Sequence, residues 1–331
     1  MAEVVAVTRG MPKPPEPLPP GLRWVTTGLL GKLPFIAAVL REVWADPGFH
    51  LLVCAHVNLL PLARVLQIWI RSPLALFVYG IDVWQPTGNL DADLMTRHAD
   101  ALASISEVTA RRMYAWSRAD PGRLHLLPNA IHLEQYRQDA KPAYLVERYG
   151  LEGRRVLLTL GRMASLERYK GFDEILDALP ALLEEFPDLV YLAAGEGSDR
   201  GRLEAKARGL GLGGRVIFTG MVPEAEKSDH YRLADAYAMP SRGEGFGFVF
   251  LEAMACGVPV VASAVDGSRE AVLDGELGLL VDPNDPTDVR RGIREALRRP
   301  HGIPPGLAHF AFPNFQARVH ALVDGLTGGR P

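Results

Sequence analysis

The chain has 331 residues, of which 48% are hydrophobic and 23% charged, with a formal net charge of −3. That is ordinary globular composition at a length suited to about two domains, and the absence of a global basic field argues against nucleic acid as a partner. Two cysteines far apart in apolar surroundings, Cys54 and Cys256, exclude a disulfide scaffold or a cysteine zinc cluster and read as small buried hydrophobes in a reducing compartment.

Strand-like runs alternate with helix-like runs almost end to end, the pattern of an α/β protein with parallel sheets. Val4 to Thr8 reads as a strand, and Pro12 to Gly21 as a proline-rich loop or polyproline segment. Leu33 to Trp44 is helical, Leu51 to Ala55 a short buried strand, Leu62 to Ile70 helical and Leu74 to Tyr79 a strand. A helix begins at Leu94 to His98, followed by a strand at Ala101 to Ile105, a helix at Val108 to Trp116 and a strand at Leu124 to Leu127. Gln138 to Gly150 is polar with no clear strand, and a domain boundary falls there. The second series has strands at Val156 to Leu160, Val190 to Ala194, Val216 to Thr219, Tyr237 to Met239 and Val258 to Ala262. Helices are expected around Phe172 to Leu183, Arg202 to Ala207, His230 to Ala234, Phe248 to Cys256, Asp288 to Arg298 and Phe315 to Leu326, with a kink or break at Pro180. The division expected is 1–140, 148–300 and a closing segment 301–331.

Three motifs are discounted. Gly28-Leu29-Leu30-Gly31-Lys32 lacks the first glycine and the hydroxyl of a phosphate loop, having Thr26 and Leu33 there. Asp91-Ala92-Asp93 precedes a helix, where N-capping and the helix dipole explain it more simply than metal binding. Gly195-Glu196-Gly197 with Gly201 approximates a dinucleotide fingerprint, but the next strand ends in Gly220 where a nicotinamide enzyme would place an acid; a tight turn is the simpler reading.

The segment Pro240 to Pro259 carries more. Gly245 and Gly247 let backbone approach a ligand closely and open a helix whose free N–H groups and dipole suit a phosphate. Glu244 stands at the helix mouth and Glu252 about two turns along near the same face, placed to accept hydrogen bonds from sugar hydroxyls at two points. A glutamate within Phe-Leu-Glu-Ala-Met-Ala is costly to bury unpaired, which favours a function over a solvated turn. Upstream, Arg162 follows a strand and Lys170 precedes a helix start, positions from which cations neutralise a diphosphate; each alone is as readily a surface charge.

Together these residues resemble the retaining GT-B glycosyltransferases of glycosyltransferase family 4. The resemblance is carried by Gly161-Arg162, Lys170-Gly171, Ala194 to Gly197, Phe218-Thr219-Gly220 and the E-x7-E spacing of Glu244 and Glu252. It implies two Rossmann-like domains facing a cleft, with a hexose passing from a nucleoside-diphosphate sugar to an acceptor hydroxyl with retention. It implies Arg162 and Lys170 on the diphosphate, Glu252 on the ribose, Glu244 on the transferred sugar, the backbone of Phe246, Gly247 and Phe248 on sugar and phosphate, and Met221 and Val222 near the base. No metal and no cofactor beyond the donor are implied. In the N-terminal half, His56 resembles the family's strand-end histidine facing donor sugar and acceptor, whereas Tyr79 stands where the family's His-Gly segment has its histidine. Ser104 to Glu107, Pro128-Asn129-Ala130 and the last helix, returning to the N-terminal domain, also match. Family members open with a strand, a glycine-rich loop and a helix that are not found before Val4, so the N-terminal domain is expected to lack its first unit.

The acceptor expected is a carbohydrate, a lipid-linked molecule or a small molecule. Two rivals remain: a nucleotide-sugar-binding pseudoenzyme or assembly partner, separated by turnover, and the nicotinamide oxidoreductase disfavoured above. No signal peptide or membrane-spanning run is read, the apolar tracts being broken at Arg64, Arg71 and Asp82, and the expected location is cytoplasmic. Leu59 to Arg71 mixes apolar and basic residues, which leaves peripheral contact at the inner membrane face open, although core packing explains that stretch better.

Overall fold

The structure, a computed structural model, describes residues 3–10 and 17–328. Strands β1 (Val4–Val7) and β2 (Leu22–Val25) form a parallel pair. Helix α1 (Lys32–Ala45) leads to β3 (Leu52–Cys54), followed by α2 (Leu60–Ile70), β4 (Leu74–Val78), α3 (Leu90–Met95), β5 (Ala101–Ser104), α4 (Glu107–Tyr114) and β6 (Leu124–Leu126). Strands β3 to β6 make a four-stranded parallel sheet in chain order. After α5 (Ala143–Tyr149) the second unit runs β7 (Arg155–Leu160), α6 (Phe172–Glu185), β8 (Leu189–Ala194), α7 (Arg200–Gly209), β9 (Val216–Gly220), α8 (Glu224–Leu233) and β10 (Ala236–Ala238). It closes with α9 (Phe248–Ala255), β11 (Val260–Ser263), α10 (Ser268–Ala271), β12 (Leu279–Val281), α11 (Pro286–Ala296) and α12 (Phe312–Thr327).

The six-stranded sheet has the order β12-β11-β10-β7-β8-β9, with every pair parallel. Its first strand, β7, is central, so the winding reverses between β7 and β10 and leaves a crevice at their carboxyl ends, where open α/β sheets bind ligands. Alternation along β7 feeds two cores: Leu157 packs with Ile175, Leu179, Val289 and Ile293, and Leu158 packs with Tyr231, Phe250, Leu251 and Met254. Covered on both faces, such strands read as continuous apolar runs, and all six residues of β8 are buried.

Several elements differ from the sequence reading. Strand β2 lies just beyond the proline-rich stretch, of which residues 11–16 fall outside the described residues. Helix α5 lies within the polar segment read as having no clear strand, with Leu145 buried as its anchor. Strand β12, only three residues long, was missed as well. Helix α6 is not broken at Pro180: the ring is exposed, so the missing N–H lies toward water while Ile175, Leu176, Leu179 and Leu182 continue the buried stripe. Helix α8 begins at Glu224, well before His230, because its first turn is acidic and polar and carries no apolar signal. Asn89, not Asp91, caps α3, and Asp93 accepts from the Thr87 hydroxyl at 2.7 Å.

Helix α12 lays Phe315, Val319, Leu322 and Leu326 on the four-stranded sheet, against Ala75, Ala101 and Ala103. Small side chains on that sheet face let the helix approach closely, and Leu322 is 3% exposed there. Leu322→Ala should lower unfolding stability by about 2–5 kcal/mol, the usual range for a buried leucine. Urea unfolding measures it, and limited proteolysis should cleave α12 earlier.

Candidate functional site

The crevice is built from the loop after β7 and the loop after β10. Gly171 (φ +88) abuts the second loop, since a Cβ there would lie 2.7 Å from the Pro240 carbonyl oxygen. The Arg242 N–H donates to the Tyr169 carbonyl at 2.8 Å. Beneath them lies Asp266, with no solvent exposure. Its carboxylate accepts from the Ser241 hydroxyl (2.6 Å), the Glu244 N–H (2.8 Å), and the Ser268 N–H (3.0 Å) and hydroxyl (2.6 Å). Burial pushes the Asp266 pKa up and these four bonds oppose it. Sequence reasoning missed Asp266; the signal was an acid ahead of a Gly-Ser pair immediately after an apolar strand.

The structure brings four charges together at the mouth. Lys170 Nζ is 3.4 Å from both Glu244 carboxylate oxygens and 3.9 Å from Glu167 Oε2. Arg162, with a side chain 78% exposed, pairs with Glu167. Two cations and two carboxylates sum to zero, so an anionic ligand has to draw Arg162 and Lys170 from their partners. Burial raises the Glu244 pKa, and Lys170 opposes that shift.

Glu252, on α9, is 6% exposed, and both its oxygens have partners. Oε2 accepts from Tyr231 at 2.7 Å; Oε1 accepts from Tyr136 at 3.1 Å and lies 2.8 Å from Lys227 Nζ. A carboxylate has about four lone-pair seats, so about one, on Oε2, is left for a ligand. Tyr136 and Lys227 were not read as site residues, because their tie to Glu252 is long-range. Gly247 (φ +93) caps α9 without a side chain, leaving the helix start uncapped. The Phe246 side chain belongs to the core, its ring 5.5 Å from that of Phe310, so only its backbone can serve the site. Phe248 is 47% and Met221 82% exposed, while Val222 packs partly against the core.

His56 lies at the end of β3 in the other domain, exposed, its Nδ1 accepting from the Asn58 N–H at 3.1 Å. That bond places the ring proton on Nε2 when the ring is neutral. Nearby, Asp82 accepts from the Tyr79 N–H at 3.3 Å through Oδ1, while Oδ2 is buried without a partner. Burial raises the Asp82 pKa, and His56 is among the groups opposing it. Sequence reasoning noted Asp82 as a break in an apolar tract, not as a site residue.

The domains meet at glycines. A Cβ on Gly245 would lie 2.5 Å from the Tyr79 carbonyl oxygen, and one on Gly267 would overlap the Gly245 carbonyl oxygen. Gly245 therefore makes room for the opposite domain, and Gly247 takes a positive-φ turn against the Phe250 ring. Gly195 and Gly197 likewise press on the backbone of Gly161 and Met163, a close crossing rather than only a tight turn. Beside the Gly245 contact, Glu270 reaches from α10 to α4 and accepts the N–H groups of Glu107 (2.7 Å) and Val108 (2.9 Å). Arg112 Nη2 donates to the Val265 carbonyl at 3.0 Å.

This architecture is shared with solved structures of GT-B glycosyltransferases. Anabaena HepE, crystallised with UDP and glucose, superposes with a TM-score of 0.74 at 20% identity, over 92% of this chain and 86% of that one. Sucrose-phosphate synthase from Thermosynechococcus elongatus gives 0.68 at 23% identity, over 96% and 84%. The sequence profile of the glycosyl transferases group 1 family matches residues 147–304. The chain is 33% identical to D-inositol 3-phosphate glycosyltransferase 2 of Catenulispora acidiphila, over 89% of this chain and 77% of that protein. It is 35% identical to a GDP-mannose-dependent α-(1-6)-phosphatidylinositol monomannoside mannosyltransferase of Mycolicibacterium smegmatis, over 70% of this chain and 63% of that protein's length. The chain belongs to the group 1 glycosyltransferase family.

Two expectations follow from the geometry. Glu167→Gln frees Arg162 and Lys170 from a competing carboxylate, so calorimetry should show nucleoside diphosphate bound about two- to fivefold more tightly, the scale of a partly exposed ion pair. Unchanged or weaker binding would contradict the competition. Glu270→Ala leaves the first N–H groups of α4 without their carboxylate and should cost about 1–3 kcal/mol of stability. Glu270→Gln should restore part of it, as read in thermal unfolding.

Proposed function

We propose that the chain transfers a hexose from a nucleoside-diphosphate sugar to a hydroxyl of a carbohydrate, lipid-linked or small polyol acceptor, with retention of anomeric configuration. The observation that carries this reading is the convergence, at the β7/β10 switch point, of the uncapped start of α9 with Arg162, Lys170 and Glu244. Arg162, Lys170 and the α9 N–H groups meet the charge that grows on the departing diphosphate, where fixed donors act most strongly. Glu252 takes one ribose hydroxyl through the open seat on Oε2. Glu244 accepts from the transferred sugar, and the backbone of Phe246, Gly247 and Phe248 lines sugar and phosphate. Met221 and Val222 lie by the base, and His56 donates through Nε2–H to the sugar or acceptor. No metal or cofactor is called for, because side-chain and backbone donors supply the positive charge.

The two relatives compared by sequence are named for inositol-bearing acceptors, which makes such a polyol the first acceptor to try. The buried free thiols Cys54 and Cys256 suit a reducing compartment, and we place the chain in the cytoplasm.

The test is turnover by the purified chain with nucleoside-diphosphate hexoses, with product configuration read by NMR. Glu252→Ala should weaken nucleoside diphosphate binding by about 1.5–3 kcal/mol, one charge-assisted hydrogen bond, and a chelator should leave turnover unchanged. Donor binding without product would favour the pseudoenzyme reading; an inverted product would overturn retention.

A further inference from the structure

Helices α1 and α2 pack together and leave their outward faces uncovered. On α1, Leu33, Leu40 and Trp44 are 77%, 36% and 79% exposed. With Ala37 they recur at the spacing of one helical stripe. On α2, Val65, Ile68 and Trp69 are 58%, 61% and 45% exposed. The two stripes join where the rings of Trp44 and Trp69 meet edge to face, 6.1 Å between centroids. Leu30, in the turn before α1, extends the surface at 87% exposure. Apolar side chains are thus gathered on a solvent face, where single scattered ones would need no explanation.

The exposed charges on the two helices are positive, with Asp46 at the C-terminal cap of α1 as the acid beside them. Lys32 and Arg41 stand exposed on α1, and Arg71 at the end of α2. Arg41 donates to the Thr27 hydroxyl and Arg64 to the Gln67 side chain; among the described residues neither pairs with a carboxylate. The single acid of the two helices, Glu42, has a side chain 12% exposed and is held by Arg23 at 2.7 Å. The face ends at α3, which packs on α2 and carries Asp91 and Asp93 in its first turn. A local positive excess on a chain of net charge −3 is set apart from the rest of the surface.

We propose that the α1/α2 face docks on an anionic lipid bilayer, with Trp44 and Trp69 seated at the headgroup level. Tryptophans favour that depth, and aliphatic side chains flanked by Lys and Arg bind interfaces through buried apolar area plus attraction to anionic lipid. The attachment is peripheral, since no helix among the described residues is long and apolar enough to cross a membrane. A second copy fits less well: a two-fold interface on this patch would bring Lys32, Arg41 and Arg71 against their own like charges.

The experiment is co-sedimentation of the whole chain with vesicles of equal parts phosphatidylglycerol and phosphatidylcholine, against vesicles of phosphatidylcholine alone. Binding is expected with the anionic vesicles and should fall as salt is raised. Trp44→Ser with Trp69→Ser should lower the partition coefficient about tenfold or more, the scale of a large side chain leaving an apolar phase. Lys32→Glu with Arg41→Glu, on exposed positions away from the donor site, should lower it about fivefold or more per charge. Both variants should stay folded by circular dichroism and bind nucleoside diphosphate as the parent does, which separates this result from any outcome at the donor site. The proposal is overturned by equal sedimentation with and without anionic vesicles at low salt, or by binding that neither variant reduces. It is equally overturned by a dimer in solution that the tryptophan variant dissociates, which would assign the face to a second copy.

Discussion

The geometry of the crevice depends on one buried carboxylate. Asp266 is unexposed, yet it ties the Ser241 hydroxyl, the Glu244 backbone and Ser268 to a single point. A charged group there is tolerable only because four donors replace its lost hydration. The bond to the Glu244 N–H fixes where that carboxylate emerges, and so where Lys170 finds it. Four residues further on, Glu270 grips the start of α4 in the other domain. One short segment therefore sets both the shape of the β10 loop and the closeness of the opposite wall.

The charges at the mouth are arranged for exchange rather than for permanent attraction. Arg162 is largely exposed and, among the described residues, pairs with Glu167 alone, while Lys170 is mostly buried between Glu167 and Glu244. An exposed arginine reorients readily; a buried lysine moves little. In the proposed reading, a diphosphate would be met first by Arg162 and held in register by Lys170. Glu252 shows the opposite logic. Tyr136, Tyr231 and Lys227 hold it in one rotamer with little acceptor capacity left, which favours a single well-placed ligand hydroxyl over adaptable binding.

What the sequence made legible follows from the range of the forces involved. Strands β7 and β8 are buried on both faces and appear as unbroken apolar runs, so the parallel α/β class is readable without contacts. The short strands β2 and β12 and the polar helix α5 lack such a signal and exist because of what they pack on. Within the site, Glu244 and Glu252 stand out as acids in an apolar, glycine-rich segment. Asp266, Glu270, Tyr136 and Lys227 do not, since each acts on a partner distant in sequence or across a domain boundary. The glycines illustrate the same limit: their need for space was readable, but not that Gly245 faces Tyr79 and Gly80 of the other domain.

The contacts across the cleft are of two kinds. Helix α12 is held to the four-stranded sheet by Phe315, Val319, Leu322 and Leu326, an apolar contact that loses stability with every increment of exposed area. On the other side the domains are joined by the Glu270 bonds to α4, the Arg112 bond to Val265, the approach of Gly80 to Gly245, and Ile105, which packs into the core of the second domain. Polar groups released there regain water, so their net contribution is small beside their strength in isolation. Glycine contacts bury almost no side chain. The two contacts therefore differ in what parting them would expose: apolar side chains along α12, and mostly polar or bare backbone groups on the Glu270 side.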